Sequence, residues 1–371
     1  MKHANKELLI EIGCEEIPAG WLPGLTAQFA SHLQSRLQEQ RLELSSLVKT
    51  FSTPRRLTAY IEDLPDRQSD LKEIVTGPPI QAAFDSNGKA TKAAVGFAKK
   101  YAIHLEDLQR KETSKGVYLV HEHHEPGKRT IEVLANVVSA TLRDFSFPKQ
   151  MRWDAYLDDG KGEFVFARPI RWTILLYGGQ VVPFIIHRND LAKGQNVQEV
   201  RAQDLTYGHR FLAAKGKAGR SIKINTFKDY KAKLAKNFVI LDRADRYKSL
   251  LAALESGAAR YGGAHVSDWV LTQSSLLEEV PDLVEFPEVV SGDFPKEFLG
   301  LPDEILATTM VHHQHYFPIE GSEGLLPHFL AVTNTNRGLT EISKNSERVL
   351  IARLRDAQFF WDEDRKVEKE M

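Results

Sequence analysis

Cysteine is almost absent from this sequence, since Cys14 is the one cysteine among 371 residues. A single thiol cannot close an internal disulfide or supply the several thiolates of a zinc cluster. Small disulfide-stapled folds and cysteine-based zinc domains are therefore excluded. The same shortage is typical of a reducing compartment, and we expect a cytoplasmic protein.

Long apolar runs are also missing. The amino-terminal stretch "MKHANKELLIEIG" carries too short an apolar segment for a secretory signal. No later stretch approaches the roughly 20 apolar residues that a membrane-spanning helix needs. We expect no membrane association.

An excess of charge of either sign is lacking as well. The 49 lysines and arginines nearly balance the 50 aspartates and glutamates. This balance excludes a generally basic coat for nucleic acid, so any polyanion must be bound by local patches of cations.

The usual catalytic loops cannot be found. The nearest approach to a phosphate-binding loop is "AFDSNGKAT", but Ala83 stands where such a loop needs its first glycine. A hairpin turn at Asn87–Gly88 explains the glycine more simply. Because G-x-S-x-G, H-E-x-x-H and G-x-G-x-x-G motifs are also missing, we assign no catalytic residue and no cofactor to this chain.

Two histidine-rich segments, "VHEHHEP" at 120–126 and "MVHHQHYF" at 310–317, are the only metal-like features. In a strand, His313 and His315 would share one face, as two ligands of one ion must. No third ligand can be identified near them. We therefore assign no metal and expect ordinary strand histidines.

Apolar periodicity predicts a mixed α/β protein with two or three domains. "ELLIEIG" is typical of a buried strand, the leucines and phenylalanine at 25, 29, 33 and 37 indicate a helix, and "VKTFSTPRRLTAYIEDL" alternates like one half-buried strand. Gly178–Gly179 predicts a hairpin.

The run "AAKGKAGR" at 213–220 has the composition of a linker. The predicted units are a discontinuous α/β domain (1–75 plus 148–215), a helix-rich insertion (76–147), a second α/β domain (216–340) and a carboxy-terminal helix (341–371).

Several cations stand beside an aromatic residue or a proline at the edge of an apolar run. Guanidinium groups grip phosphates and aromatic rings stack on unpaired bases, so this pattern suits RNA. The candidate RNA-binding residues are Arg55, Arg56, Lys149, Arg152, Arg168, Arg171 and Arg210.

The adjacent pair Arg55–Arg56 permits two interpretations. Neighbouring residues of a strand point to opposite faces, so one arginine should pair with a buried carboxylate while the other remains available to solvent or phosphate. Alternatively, both pair internally with Glu11, Glu15, Glu16 or nearby carboxylates and leave no open basic surface.

Many short motifs together resemble one known family, the β subunit of the bacterial heterotetrameric glycyl-tRNA synthetase. They occur in the family's order along the whole chain: "LLIEIGCEEIPAGWL", "TPRRL", "TGPP", "AFDSNGKATKAAVGFAKKY", "KQMRWD", "FARPIRW", "YGHRF", "SLLEEVPDLVEFPEVVSGDF", "MVHHQHYFPI" and "RVLIARLRDAQFFWDEDRK". The sequence departs from the family pattern in having Cys14 in place of threonine, Asp154 in place of glycine, and additional histidines at 312–315.

The resemblance implies a non-catalytic subunit of a glycine–tRNA ligase. In such enzymes a separate α subunit uses ATP and magnesium, and the β subunit recognises tRNA(Gly) and assembles into an α2β2 enzyme. It also implies that the chain corresponds to the amino-terminal half of such a subunit, and that its first part is similar to the B3/B4 module of phenylalanyl-tRNA synthetase. The family continues into an HD-like helical region. Editing is not carried over, because glycine can be selected by excluding larger amino acids.

Two other classes of function remain open. The chain could be a structural docking platform for the α subunit, because "LLEEVPDLVEFPEVV" places Leu276, Val280, Leu283 and Val284 among acids as a protein interface does. It could also be an independent enzyme that uses the histidine segments, although no acid–nucleophile arrangement supports this.

Overall fold

A computed structural model describes residues 5–190, 195–213 and 219–370. The strands are β1 (Lys6–Cys14), β2 (Lys49–Thr53), β3 (Arg56–Leu64), β4 (Leu71–Pro79), β5 (Gln109–Thr113), β6 (Gly116–Glu125), β7 (Met151–Leu157), β8 (Glu163–Phe166), β9 (Ile170–Tyr177), β10 (Gln180–Val181), β11 (Ile185–Asp190), β12 (Gln195–Gln203), β13 (Leu205–Tyr207), β14 (Ser221–Lys223), β15 (His265–Val266), β16 (Glu288–Asp293), β17 (Tyr316–Gly321) and β18 (Gly324–Thr333).

The helices are α1 (Leu22–Glu39), α2 (Ile80–Ala83), α3 (Lys92–Lys100), α4 (Thr130–Arg143), α5 (Phe227–Lys236), α6 (Arg243–Ala259), α7 (Asp268–Gln273), α8 (Leu276–Glu279), α9 (Asp303–Thr308) and α10 (Leu339–Glu370). The fold is therefore mixed α/β with several sheets, as the sequence predicts. Among the described residues, no helix is both long and apolar enough to cross a membrane.

The largest sheet has the order β2-β3-β1-β9-β12-β11-β7-β8, with β10 paired to β9. Its strands come from residues 6–64 and 151–203, so the sheet is discontinuous in sequence. Leu8, Ile10 and Ile12 point to one face, where α1 and α4 pack. Leu9 points to the other face, which is covered by α5 and the segment before it. Because both faces are covered, β1 is buried along nearly its whole length.

The predicted helix through residues 25–37 is confirmed as α1, whose buried residues recur every three or four positions. The predicted hairpins are also confirmed. Gly178 and Gly179 both have positive φ and join β9 to β10. Around Asn87–Gly88, Phe84 bridges to Ala90 across a tight turn.

The single strand predicted for "VKTFSTPRRLTAYIEDL" is wrong. The chain forms two strands, β2 and β3, joined by a tight turn at Pro54–Arg55 with Thr53 opposite Arg56. Proline cannot donate a ladder hydrogen bond and fixes φ, which suits a turn better than a strand interior.

A small sheet of order β4-β6-β5 carries α2 and α3 on one side. Residues 76–147 thus hold strands as well as the predicted helices. The last helix of that range, α4, packs into the core of the large sheet with α1.

The second α/β unit is a four-stranded sheet of order β15-β17-β18-β16 between two layers of helices. One layer is formed by α6 and α8, and the other by α9 and α10. The predicted linker at 213–220 lies mostly outside the described residues, but β13 and β14 pair on either side of it. Ile222, Tyr230 and Leu241 pack against the large sheet. The domain boundaries stay predictions, and this packing places residues 222–241 with the first sheet.

Candidate nucleic-acid interface

Arg56 begins β3 and lies entirely inside the protein, with no exposed surface. Its guanidinium donates to Glu11 Oε1 at 2.9 Å, to Glu285 Oε1 at 3.2 Å and to the Tyr207 carbonyl at 2.9 Å. The Thr53 hydroxyl donates to the same Glu285 oxygen at 2.6 Å. One side chain therefore connects β1, β3, the segment at 205–207 and the second α/β unit.

The charges of this network depend on one another. Burial alone would lower the pKa of Arg56, but Glu285 and Glu11 outweigh it and raise that pKa. Burial would raise the pKa of Glu285, yet Arg56 and the Thr53 hydroxyl hold it below its ordinary value. For Glu11, burial prevails over Arg56 and the pKa is raised. The positive charge of Arg56 is thus used internally.

Arg55 occupies the turn between β2 and β3 and is 3% exposed. Its guanidinium lies 5.4 Å from the centre of the Trp172 ring, and burial lowers its pKa. Gly13 makes room for this indole, because a Cβ atom there would lie 1.8 Å from the Trp172 ring. The expectation that one arginine of the pair faces solvent is wrong. The reason is that Arg55 lies in a turn, so the alternation of a strand does not apply to the pair.

Arg168, Arg171 and Arg210 converge on the two glutamates that follow β1. Arg171 Nε lies 3.2 Å from Glu15, and Arg210 lies 2.7 Å from Glu15 and 2.6 Å from Glu16. Arg168 donates to the Glu16 carbonyl at 3.1 Å. Burial would lower the pKa of Arg210, but the two carboxylates raise it. The structure thus gathers three of the predicted residues into one partly exposed cluster, which we call the Glu15–Glu16 cluster.

Lys149 and Arg152 lie at the start of β7. Arg152 is 82% exposed and approaches Glu163 at 3.4 Å, while Lys149 is exposed. Met151 pairs with Phe166, so Lys149 and Arg168 flank the same end of the β7–β8 pair. Among the described residues, neither cation makes an ion pair with Glu15 or Glu16.

Arg246 is a buried cation that sequence reasoning missed. It donates to the carbonyls of Pro281 at 2.7 Å and Ser52 at 2.9 Å, and burial lowers its pKa to about 10. A signal was present, because Arg246, Leu250 and Leu254 recur every fourth residue and share the buried face of α6. Glu285 gave no comparable signal, since its partner Arg56 lies 229 residues away.

The acidic-apolar stretch at 276–290, on which the docking alternative rests, lies mostly inside the chain's own structure. Leu276, Val280 and Val284 are buried in the chain's own interior, and only Leu283 of the four is exposed. The acids are also used internally, since Asp282 binds Arg243 at 2.8 Å.

The histidines at 312–315 are not on a strand as predicted. Residues Thr309–His313 form a π-helical turn and His315 has a φ of 55°, so the predicted shared strand face of His313 and His315 does not exist. Elsewhere in the described residues, His265, Asp268 and Glu320 bring their ligand atoms within 4.8 Å of one another. Their separations of 3.7 and 3.8 Å from the imidazole are those of surface ion pairs.

The fold and this site define a mixed α/β protein in which buried arginines join separate sheets and surface arginines surround an acidic pair. Comparison with known proteins identifies the family. The profile of the family described as "Glycyl-tRNA synthetase beta subunit" matches residues 8–371.

Curated relatives agree with this match. The "Glycine--tRNA ligase beta subunit" of Syntrophus aciditrophicus is 37% identical over 98% of this chain and 49% of its own length. The proteins of the same name from Trichlorobacter lovleyi and Bacillus subtilis are 39% and 36% identical over 99% and 98% of this chain, and over 50% of their own lengths. The chain belongs to the glycyl-tRNA synthetase beta subunit family. It spans about half the length of the curated relatives it matches.

Proposed function

We propose that this chain acts in glycyl-tRNA synthesis as the amino-terminal half of a non-catalytic β subunit. It supports the ATP-dependent attachment of glycine to tRNA(Gly) by recognising the tRNA and assembling with a catalytic α subunit into an α2β2 enzyme. ATP and magnesium are used by the α subunit, and no cofactor is held by this chain. The observation that carries the proposal is the family match along residues 8–371.

We also propose that residues 1–75 plus 148–215 form a module similar to B3/B4 of phenylalanyl-tRNA synthetase. The support is that the large sheet draws its strands from two separated parts of the sequence. No editing activity is proposed for it.

The tRNA is contacted, in this proposal, by the exposed members of the predicted set. These are Lys149, Arg152, Arg168, Arg171 and Arg210. Arg55 and Arg56 are positioning residues behind them, through Trp172 and Glu285. RNA phosphates replace Glu15 and Glu16 as partners of the arginines, because a guanidinium binds phosphate and carboxylate with the same fork.

The first experiment tests the function. The β subunit carrying this chain is combined with the α subunit, glycine, ATP and tRNA(Gly), and glycylation is measured. We expect glycyl-tRNA only when both subunits are present, and no glycine-dependent pyrophosphate exchange from the β subunit alone. Exchange by the β subunit alone would overturn the non-catalytic role.

The second experiment separates tRNA contact from a purely docking role. In the assembled enzyme, Glu15→Gln frees Arg171 and Arg210 from a competing carboxylate and should tighten tRNA binding, whereas Arg171→Gln should weaken it and lower the salt slope by about one phosphate contact. If the chain is only a platform for the α subunit, both variants bind tRNA like the unmodified enzyme. Lys296→Gln, at an exposed lysine of the second α/β unit, is the control.

A further inference from the structure

A second cationic site lies on the large sheet, away from every arginine that the sequence singles out. It is a cavity of about 290 Å³, located where the chain leaving β3 crosses the chain entering α4. Lys6, Arg67 and Arg129 line it together with Asp66 and Tyr177. The four charged side chains give the lining a net charge of plus two.

The backbone around this cavity is fixed by hydrogen bonds. The hydroxyls of Thr130 and Tyr177 both donate to the Pro65 carbonyl, at 2.5 and 2.8 Å. Two backbone bonds join the crossing chains, from Gln68 N to Lys128 O and from Thr130 N to Asp66 O, each 2.9 Å long. The chains are packed so closely that a Cβ atom at Gly127 would lie 1.8 Å from the backbone carbonyl oxygen of Gln68. The site is therefore preformed.

Arg67 and Arg129 are held opposite each other, because their residues form an antiparallel β-bridge. Directly opposed like charges are destabilising. Both side chains are exposed, and neither makes an ion pair with any residue that the structure describes. The Lys6 ammonium lies 5.7 Å from the centre of the Tyr177 ring and makes no ion pair with a residue that the structure describes.

This arrangement is the reverse of the Glu15–Glu16 cluster. There, each arginine already has a carboxylate or carbonyl partner, and an incoming anion must compete for it. Here, two guanidinium forks and an ammonium group surround one cavity, and the described residues that line it include a single carboxylate, Asp66. An anion between them would relieve the repulsion of Arg67 and Arg129 at the same time as it binds.

We infer that this cavity binds a backbone phosphate of the RNA. The inference rests on the proposed function for the identity of the nucleic acid. A guanidinium pair suits the planar, multi-oxygen surface of a phosphate, and the lysine adds a flexible point charge. The volume lies near the lower end for ligand sites, about 300 Å³, which fits one phosphate with its sugar better than a whole dinucleotide.

The test uses the assembled enzyme and tRNA(Gly), with binding measured at several salt concentrations. Arg67→Gln and Arg129→Gln should each weaken binding several-fold at low salt and reduce the slope of log K against log salt by about one, and the double variant by about two. Arg67→Lys keeps the charge and loses the fork, so we expect an intermediate loss. Lys296→Gln should bind as the unmodified enzyme does.

A second readout does not depend on RNA. Removal of one of two opposed charges should raise the melting temperature of Arg129→Gln at low salt. Inorganic phosphate should raise the melting temperature of the unmodified protein and have less effect on this variant. A variant that melts lower in all buffers has lost stability for another reason, and tRNA binding by Arg67→Lys then decides the result.

The outcomes separate the two proposals. If the unmodified enzyme neither binds nor glycylates tRNA, the proposed function fails. If it binds tRNA and the Arg67 and Arg129 variants bind equally well with an unchanged slope, the phosphate site is overturned. If inorganic phosphate binds but the variants leave tRNA affinity unchanged, the site serves a small phosphate ligand and the RNA assignment is overturned.

Discussion

At the scale of single residues, Arg56 and Glu285 illustrate how costly a buried charge becomes without its partner. Both are fully enclosed, and each carries a hydrogen bond that the other's presence makes possible. An intact buried pair contributes little net stability, because desolvation offsets the attraction. Removal of one partner leaves an uncompensated charge, which is the costly state.

We therefore expect Glu285→Gln to destabilise the protein by about 3 kcal/mol or more at neutral pH. Urea unfolding followed by circular dichroism measures the change. Glu163→Gln is the matched control, because its partner Arg152 is largely exposed, and it should cost less than about 1 kcal/mol. Equal effects of the two variants would contradict the buried network.

The cost of Glu285→Gln should also depend on pH. The pKa of Glu285 is lowered on folding from its ordinary value of 4.5. A carboxyl group of this kind adds stability above its unfolded-state pKa and loses it as the pH falls through the folded value. The stability difference between the two proteins should be full at pH 6–7 and shrink below about pH 4.5. A difference that grows on acidification would show that Arg56 does not hold this carboxylate ionised.

At the scale of elements, β7 contains a local backbone strain that glycine would relieve. The pairing of β7 with β8 shifts register between Met151 and Ala155, and within this bulge Asp154 has a φ of 54°. Residues with a Cβ atom are disfavoured in that conformation, whereas glycine is not. In the family that the sequence resembles, glycine usually stands at this position. The positive φ of residue 154 explains that preference.

Asp154→Gly should raise the free energy of unfolding by about 0.5–1 kcal/mol, since the strain outweighs the added freedom of the unfolded chain. Thermal melting measures it. Glu122→Gly, at an exposed acid in the regular part of β6, should lower stability by about the same amount, because glycine weakens a strand interior. Destabilisation by both changes would mean that the bulge is not strained.

Elements set by local sequence could be predicted, and elements set by distant contacts could not. The spacing of Leu25, Phe29 and Leu33 is enough to predict α1, and the pair Gly178–Gly179 is enough to predict its hairpin. The turn at Pro54–Arg55 was missed, because the alternation of the flanking strands continues across it.

The site was less predictable than the fold. The pairing of Arg56 with Glu11 was one of two interpretations of the sequence, and the structure shows that pair. Its other partner, Glu285, reaches it only after two sheets have packed together. The cavity beside Arg67 and Arg129 depends on a crossing of two loops 60 residues apart, which no local pattern reports.

At the scale of the whole molecule, Arg246 and Arg56 fasten the large sheet to the second α/β unit. Arg246 extends from α6 to the Ser52 carbonyl of β2 and also binds the Pro281 carbonyl. Arg56 reaches Glu285 in the other direction. Both connections are buried, so separation of the units would break several hydrogen bonds and an ion pair that are enclosed from water.

The unmodified protein should therefore unfold in a single calorimetric transition, and Arg246→Met should split it into two. The variant leaves buried carbonyls without their donor, a cost of about 3 kcal/mol that falls on the contact between the units. Arg260→Met, at the exposed end of α6, is the control and should keep one transition. A single transition in Arg246→Met, shifted by less than a few degrees, would show that the Arg246 hydrogen bonds are not needed to hold the two units together.

Because the chain leaves and returns at the paired residues Arg67 and Arg129, the small sheet could be removed from the protein by engineering. The chain departs toward β4 and returns from β6 at positions paired in one β-bridge, about 5 Å apart. A protein engineer could excise residues 71–125, close the gap with a short glycine turn, and leave α4 seated in the large core. The same two positions would accept a foreign domain or a fluorescent reporter, because its termini would need only to meet.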